Sequence, residues 1–351
     1  MPKWPAQLVV IIPDTTLSTH SNLQELTVRA GMLARFMAIA EVSRVLLYRE
    51  KPSADDQAGK TLSLLLRFSV VPQYLRRQLF PIIPELRYSG LLPPLNIPTH
   101  PQTRRISVGD VRVALLKEGS TSQAWIDLDQ LADVRGTPSL GAPPGLSRLF
   151  FGRLVSRSPP IVEPVDSFPG YAGFYVEETH HPLLPFLQKL RGLRLATSRY
   201  GIEYGKVCRE IVKRAGEVQP TYLVFGSPSL DLNEMAEKAG FSLKSAVDYV
   251  LNLDPNQVVK SIRTDEAVPI ALFELWGLSS ALARDFRGIL ASWAGSRRCP
   301  EALPVDLRIV NELPRWILQK RKLMKSLDFF SFIGESGGLM SIMNIVRHPQ
   351  P

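Results

Sequence analysis

A chain of 351 residues, 45% hydrophobic and 21% charged, can bury more than one core and is excluded from the disordered class. Lys and Arg outnumber Asp and Glu 42 to 33, a formal charge of +9, which favours polyanionic partners such as nucleic acid, although a generically basic surface gives the same excess. There is no apolar stretch near the roughly 20 residues of a membrane span, no signal-peptide run before Asp14, and no Cys-x-x-Cys pair among its two cysteines, Cys208 and Cys299, so a cytoplasmic protein without membrane or metal partners is expected, its cysteines plain structural thiols.

Leu8 to Ile12 is a β-branched run ending at Pro13 and reads as a strand. Leu23, Leu26, Ala30, Leu33, Ala34 and Met37 recur at helical spacing after the candidate caps Thr19 and Ser21, and Arg44 to Tyr48 supplies a second strand. This opening is a β-α-β unit with a right-handed crossover over a parallel sheet. Leu62–Phe68 and Tyr74–Phe80 are helical in pattern, whereas Pro81 to Pro101 carries too many prolines for regular structure.

Beyond it come short alternating runs, DVRVALLKEG, QAWIDLDQLADVRG and LSRLFFGRLVSR, separated by Gly, Pro and Ser clusters. Five or so strands with Arg104, Arg105, Arg112, Arg148, Arg153 and Arg157 at their edges suit an OB-like barrel that binds nucleic acid; a purely structural β insertion fits equally. From Gly170 the α/β rhythm returns, with strands at Gly173–Val176, Leu193–Ala196, Tyr222–Phe225 and Tyr249–Leu251, and helices at Leu183–Leu190, Tyr204–Ala215, Leu232–Ala239 and from about Thr264. The expected organisation is an α/β domain over 1–97 and 168–276, split by the β module at 98–167 and followed by a helical extension at 277–351.

Three strands in the second half end in polar loops: Thr197, Ser198, Arg199 and Gly201; Phe225, Gly226, Ser227 and Pro228; and Asn252 to Gln257. In an open parallel sheet, ligands bind beyond the carboxyl ends of the strands. Gly226 permits close backbone approach and Asn252, Asn256 and Gln257 can hydrogen-bond a small polar ligand, yet each feature also occurs in ordinary β-α turns. Thr264 reads as a helix N-cap with Asp265 and Glu266 in the first turn, where carboxylates suit the dipole. Arg263 is electrostatically misplaced at a helix start, which points to a ligand, an RNA phosphate or a dimer contact as its partner. The His180-His181-Pro182 run lacks further metal-binding residues at helical spacing and reads as a surface turn.

The segments LRYSGLLPPL, GFYVEE and ATSRYG, with PNQ followed by IRTDEA, resemble the SPOUT superfamily of RNA methyltransferases, in its archaeal and eukaryotic branch with an OB-fold inserted in the α/β domain. The resemblance covers about residues 8–276. It implies a parallel sheet closed by a C-terminal trefoil knot, a homodimer, and methylation of RNA, ribosomal RNA in particular, at N3 of uridine. It further implies that S-adenosylmethionine lies against Thr197, Ser198, Phe225, Gly226, Ser227, Asn252, Leu253, Pro255, Asn256, Gln257, Ile262 and Thr264, with Arg199, Arg263 and Glu266 as candidate catalytic groups. Two departures are visible: Asn256 and Val258 replace the glycines of the family's knot loop, where β-branched Val258 tolerates positive φ poorly, and Pro269 falls in the last helix. They keep open an alternative, an RNA-binding or scaffold protein of this fold without methyl transfer.

The resemblance does not extend to residues 277–351. There Asn311 is a plausible N-cap, Pro314 falls in a first turn, Leu313, Trp316, Ile317, Met324 and Leu327 lie near one helical face, and Lys320, Arg321, Lys322 and Lys325 crowd the second half. This segment is expected to dock on the α/β domain and extend a dimer interface.

Overall fold

The structure is a computed structural model that describes residues 4–20, 22–50, 57–101 and 106–283, with only the backbone path for 58 and 276–283; all belong to one unit, 1–287. The amphipathic helix expected after Asn311, the docking of residues 277–351 beyond the end of the last helix, and Cys299 lie outside the described residues, as do Arg104 and Arg105.

Strand β1 (Leu8–Pro13), helix α1 (Leu23–Ile39) and β2 (Arg44–Tyr48) form the expected β-α-β unit, followed by α2 (Gln57–Val70) and α3 (Gln73–Leu79). Five strands come next: β3 (Val111–Leu116), β4 (Gln123–Trp125), β5 (Leu131–Val134), β6 (Leu149–Arg157) and β7 (Pro160–Val165). The α/β alternation then resumes with β8 (Tyr175–Thr179), α4 (Leu183–Lys189), β9 (Leu193–Glu203), α5 (Tyr204–Glu217), β10 (Thr221–Val224), α6 (Leu232–Lys238), α7 (Leu243–Ala246), β11 (Tyr249–Asn252) and α8 (Thr264–Ala283).

The sheet has six strands in the order β11-β9-β10-β1-β2-β8, all parallel. Every residue of β1 is buried because both faces of the sheet are covered, which is why its sequence is continuously apolar instead of alternating. Leu8, Val10 and Ile12 face one layer, packed with Leu33 and Met37 of α1, Leu65 of α2, Ile211 of α5 and Leu272 of α8. Val9 and Ile11 face the other, with Leu187 of α4, Leu232 and Ala236 of α6 and Leu243 of α7. At about 1.5–3 kcal/mol per buried aliphatic side chain, this strand anchors the sheet. No described helix is long and apolar enough to cross a membrane.

The β module is a closed barrel in the order β3-β4-β5-β7-β6. Ala114, Ile126, Phe150 and Leu154 fill its interior. The opposite face of β3 packs Val113 and Leu115 on Val71, Tyr74 and Leu75, and the Tyr74 hydroxyl donates to Val113 O at 2.8 Å. Arg112 therefore departs from its expected place on a solvated edge: it is 8% exposed, its guanidinium lies over the Tyr74 ring, and it pairs with Asp127 at 3.9 Å.

Other boundaries shift for local reasons. Asn22, not Thr19 or Ser21, caps α1, its side chain accepting from Glu25 N at 2.8 Å. The proline-rich segment holds two short 3-10 turns, Pro84–Leu86 and Ser89–Leu91. Pro269 lies inside α8, beyond its first turn, so it costs that helix a hydrogen bond instead of marking its start.

His100, at the end of that proline-rich segment, is 5% exposed, with Nε2–H donating to Val70 O at 2.8 Å and Nδ1 without a hydrogen-bond partner. Burial outweighs the hydrogen bond and, with Arg76 nearby, pushes the imidazole down to about 4. The unfolded chain binds that proton near pH 6.5, so this contribution is complete above about 6.5 and is lost as pH falls to about 4, roughly 3 kcal/mol in all. Urea unfolding across that interval is expected to show the loss, and His100→Gln is expected to flatten it.

Candidate functional site

Strand β9 has β10 on one side and β11 on the other, so the chain crosses over β9 between them and leaves a crevice at the carboxyl ends of all three. The pairing of β9 with β11 is interrupted there. Val250 pairs with Ala196 but Leu251 pairs with Ile202, and residues 197–201 bulge out between them. The expected loop is thus a bulge inside a longer strand. Gly201 makes the return possible: a Cβ on it would stand 2.6 Å from both Val250 O and Leu251 C. Asn252 Nδ2 donates to Arg199 O at 2.9 Å and closes the bulge. Below it, Arg194 fixes the register by donating to Asp248 through its backbone N–H at 2.8 Å and Nε at 3.1 Å. Burial alone would raise the Asp248 carboxyl, but these hydrogen bonds and the Arg214 charge hold it below its ordinary value.

The loop after β10 is pinned by its backbone. Phe225 N donates to Ile11 O at 3.0 Å, and the buried Tyr48 hydroxyl donates to Phe225 O at 3.0 Å. Gly226 packs so closely on the returning chain that a Cβ would meet Leu230 O at 2.8 Å. Asp231 and Glu234 then form a reciprocal capping box at the start of α6. The Asp231 carboxylate also accepts from Ser198 Oγ at 3.0 Å, tying this loop to the bulge, while Thr197 Oγ1 donates to Val224 O at 3.2 Å.

The segment after β11 is held at both ends. Arg199 Nη1 donates to Lys260 O at 3.1 Å, and Thr264 Oγ1 donates to Gly226 O at 3.0 Å. Thr264 is therefore not the helix cap. Arg263 O accepts from Ala267 N at 2.8 Å, and the Glu266 carboxylate accepts from Arg263 N at 3.0 Å, which places the cap at Arg263. Asn252 Oδ1 accepts from Asp254 N and Gln257 Nε2 donates to Val259 O at 2.8 Å, so both amides shape the loop. Among the described residues the non-glycine positive φ values belong to Glu41 and Asn96, so Asn256 and Val258 both sit in ordinary backbone regions. Val258 is 97% exposed.

These three segments enclose a cavity of about 330 Å³. Of the residues singled out in the sequence, Thr197, Ser198, Arg199, Phe225, Gly226, Ser227, Asn252, Leu253, Gln257, Ile262 and Thr264 line it; Pro255, Asn256, Arg263 and Glu266 do not. The sequence reading missed Ser229, Asp231, Glu234 and Lys260, which also line it, and did not single out Asp254 within the Asn252–Gln257 loop, which lines it too. A signal existed for the first pair of carboxylates, since Asp231-Leu-Asn-Glu234 directly after a strand is a capping-box pattern. Asp231, Glu234 and Asp254 set three carboxylates in the wall against Arg199 and Lys260. Behind it, burial and then the Asp254 charge raise the Glu274 carboxyl above its usual range. His180 and His181 are exposed, and among the described residues no group of three or more His, Cys, Asp or Glu side chains is placed to hold a metal ion.

Residues 7–135 match the family model described as "Putative RNA methyltransferase". An uncharacterized protein of Halobacterium salinarum is 27% identical over 288 residues, covering 76% of this chain and 97% of that protein. The 28S rRNA (uridine-N(3))-methyltransferase of Drosophila melanogaster is 25% identical over 304 residues, 77% of this chain and 62% of that enzyme. The human protein of the same name is 30% identical over 109 residues, 27% of this chain and 29% of that enzyme. Over these stretches the chain is similar to RNA methyltransferases of this kind.

Proposed function

We propose that the chain methylates ribosomal RNA at N3 of uridine, using S-adenosylmethionine held in the strand-end cavity. The observation that carries this is the meeting of three loops from adjacent parallel strands around one polar cavity of about 330 Å³, within the range of small-molecule sites, about 300–1,000 Å³. Its donor set suits a ligand bearing both cationic and carboxylate groups: Asp231 and Glu234 would face the cations, Lys260 the carboxylate, and Leu251, Ile262 and Ala267 the apolar ring system. Bound there, S-adenosylmethionine supplies an electrophilic methyl group.

The chain's own residues must orient the base, accept its N3 proton and stabilise the charge left on the ring. Arg199, on the wall, stabilises that charge. Glu266 is engaged with Arg263 N outside the lining, and Asp231 and Glu234 hold the cap of α6, which leaves Asp254 as the wall carboxylate that takes the proton. Arg263, exposed beside the cavity, suits an RNA phosphate. Of the grounds for the alternative without methyl transfer, Val258 and Val259 do not line the cavity, while Pro269 does fall inside α8.

We read the segment from Asn252 to Thr264 as the closing part of a trefoil knot, a reading supported by its attachment to the β9 bulge and to Gly226. The barrel's strand order supports an OB-like module within 98–167. Ile270 and Phe273, exposed one turn apart on α8, support a homodimer contact. The barrel is the RNA-reading arm. Because its β3 face is docked on α3, deleting it would expose that face, and charge reversal is the cleaner test. Arg153→Glu with Arg157→Glu, both exposed on β6, is expected to weaken RNA binding and lower the salt-dependence slope by about two, with donor affinity unchanged.

The activity itself is tested by incubating the full chain with labelled S-adenosylmethionine and unmodified ribosomal RNA, then digesting to nucleosides. Labelled 3-methyluridine is expected; label absent, or on another nucleoside, overturns the assignment.

A further inference from the structure

We propose that Tyr200 is a stacking platform for a nucleobase beside the one being methylated. This rests on the reading of the adjoining cavity as the methylation site. Tyr200 is 63% exposed, the most exposed Phe or Tyr side chain among the described residues. An aromatic ring left in water beside a polar cavity wants a partner, and unpaired RNA bases are held by stacking on aromatic rings and guanidinium planes.

The ring is presented, not loose. Its backbone N–H donates to Ser198 Oγ at 3.2 Å, and the next residue, Gly201, is wedged against the backbone of β11. The Arg199 guanidinium lies over the ring, 4.7 Å from its centroid, and donates to its hydroxyl. Arg199 lines the cavity whereas Tyr200 does not, so a base on the ring sits outside the mouth while its neighbour enters. Arg199 thereby links the two positions: one side chain braces the platform and faces the reacting base.

The test uses the full chain with Tyr200→Ala and Tyr200→Phe, a fluorescent single-stranded oligouridylate, S-adenosylmethionine, and oligomeric mass by sedimentation. Tyr200→Ala is expected to weaken oligouridylate binding roughly tenfold and to raise KM for RNA, leaving donor affinity and oligomeric mass unchanged. Tyr200→Phe is expected to restore most of the affinity. Unchanged RNA affinity in Tyr200→Ala, a fall in oligomeric mass, no rescue by phenylalanine, or no oligouridylate binding by the parent chain would each overturn the proposal. Failure of the parent chain to bind S-adenosylmethionine would strike the cavity reading instead, and the RNA titrations would still decide Tyr200.

Discussion

Gly201→Ala is expected to remove methyl-donor binding and to cost stability at the upper end of overpacking substitutions, about 2–3 kcal/mol. The added carbon would stand 2.6 Å from Val250 O and from Leu251 C, and both are backbone atoms. A flexible side chain could swing away, but here the whole β11 strand must move. The seam between β9 and β11 then opens where Asn252 closes the bulge, and the cavity walls carrying Ser198, Arg199 and Leu253 lose their spacing. Gly205 is the matched control. It lies in the first turn of α5 with nothing within 4 Å of its would-be Cβ, so Gly205→Ala is expected to be neutral or to stabilise by up to about 1 kcal/mol. Urea unfolding together with donor titration of both variants checks the pair; equal behaviour would show that the seam does not shape the cavity.

Arg199→Gln is expected to lower kcat by about 10²–10³-fold at saturating RNA, the usual effect of losing one donor aimed at developing charge. Glutamine removes the charge and, two bonds shorter, also gives up the contact that Arg199 Nη1 makes to Lys260 O, so the loss of kcat is read beside a check that the fold is unchanged. Donor affinity should change little. Arg263→Gln gives the contrast: outside the lining and exposed, it should raise KM for RNA and leave kcat near that of the parent chain. Single-turnover methyl transfer with both variants separates the two roles.

Much of the sheet was legible because buried parallel strands announce themselves as apolar runs, as Leu8 to Ile12 and Val45 to Tyr48 do. Strand ends were less legible. The β9 strand continues to Glu203 only because Gly201 lets the chain return against β11, a tertiary contact that no periodicity encodes. Arg112 misled for a related reason: its charge suggested solvent, while its guanidinium lies over the Tyr74 ring. The polar strand ends pointed to the three loops that line the cavity. The carboxylates Asp231 and Glu234 were hidden in what reads as an ordinary helix cap, and Thr264, a good cap by residue type, gives its hydroxyl to Gly226 O because the segment after β11 lies across the β10 loop.

The most direct test of the central claim is calorimetric titration of the full chain with S-adenosylmethionine, beside Gly226→Val, whose side chain would fill the cradle formed with Leu230 O. The account predicts saturable binding of one donor per chain by the parent protein and none by the variant. No binding by the parent chain at millimolar donor, or equal binding by both, would contradict it.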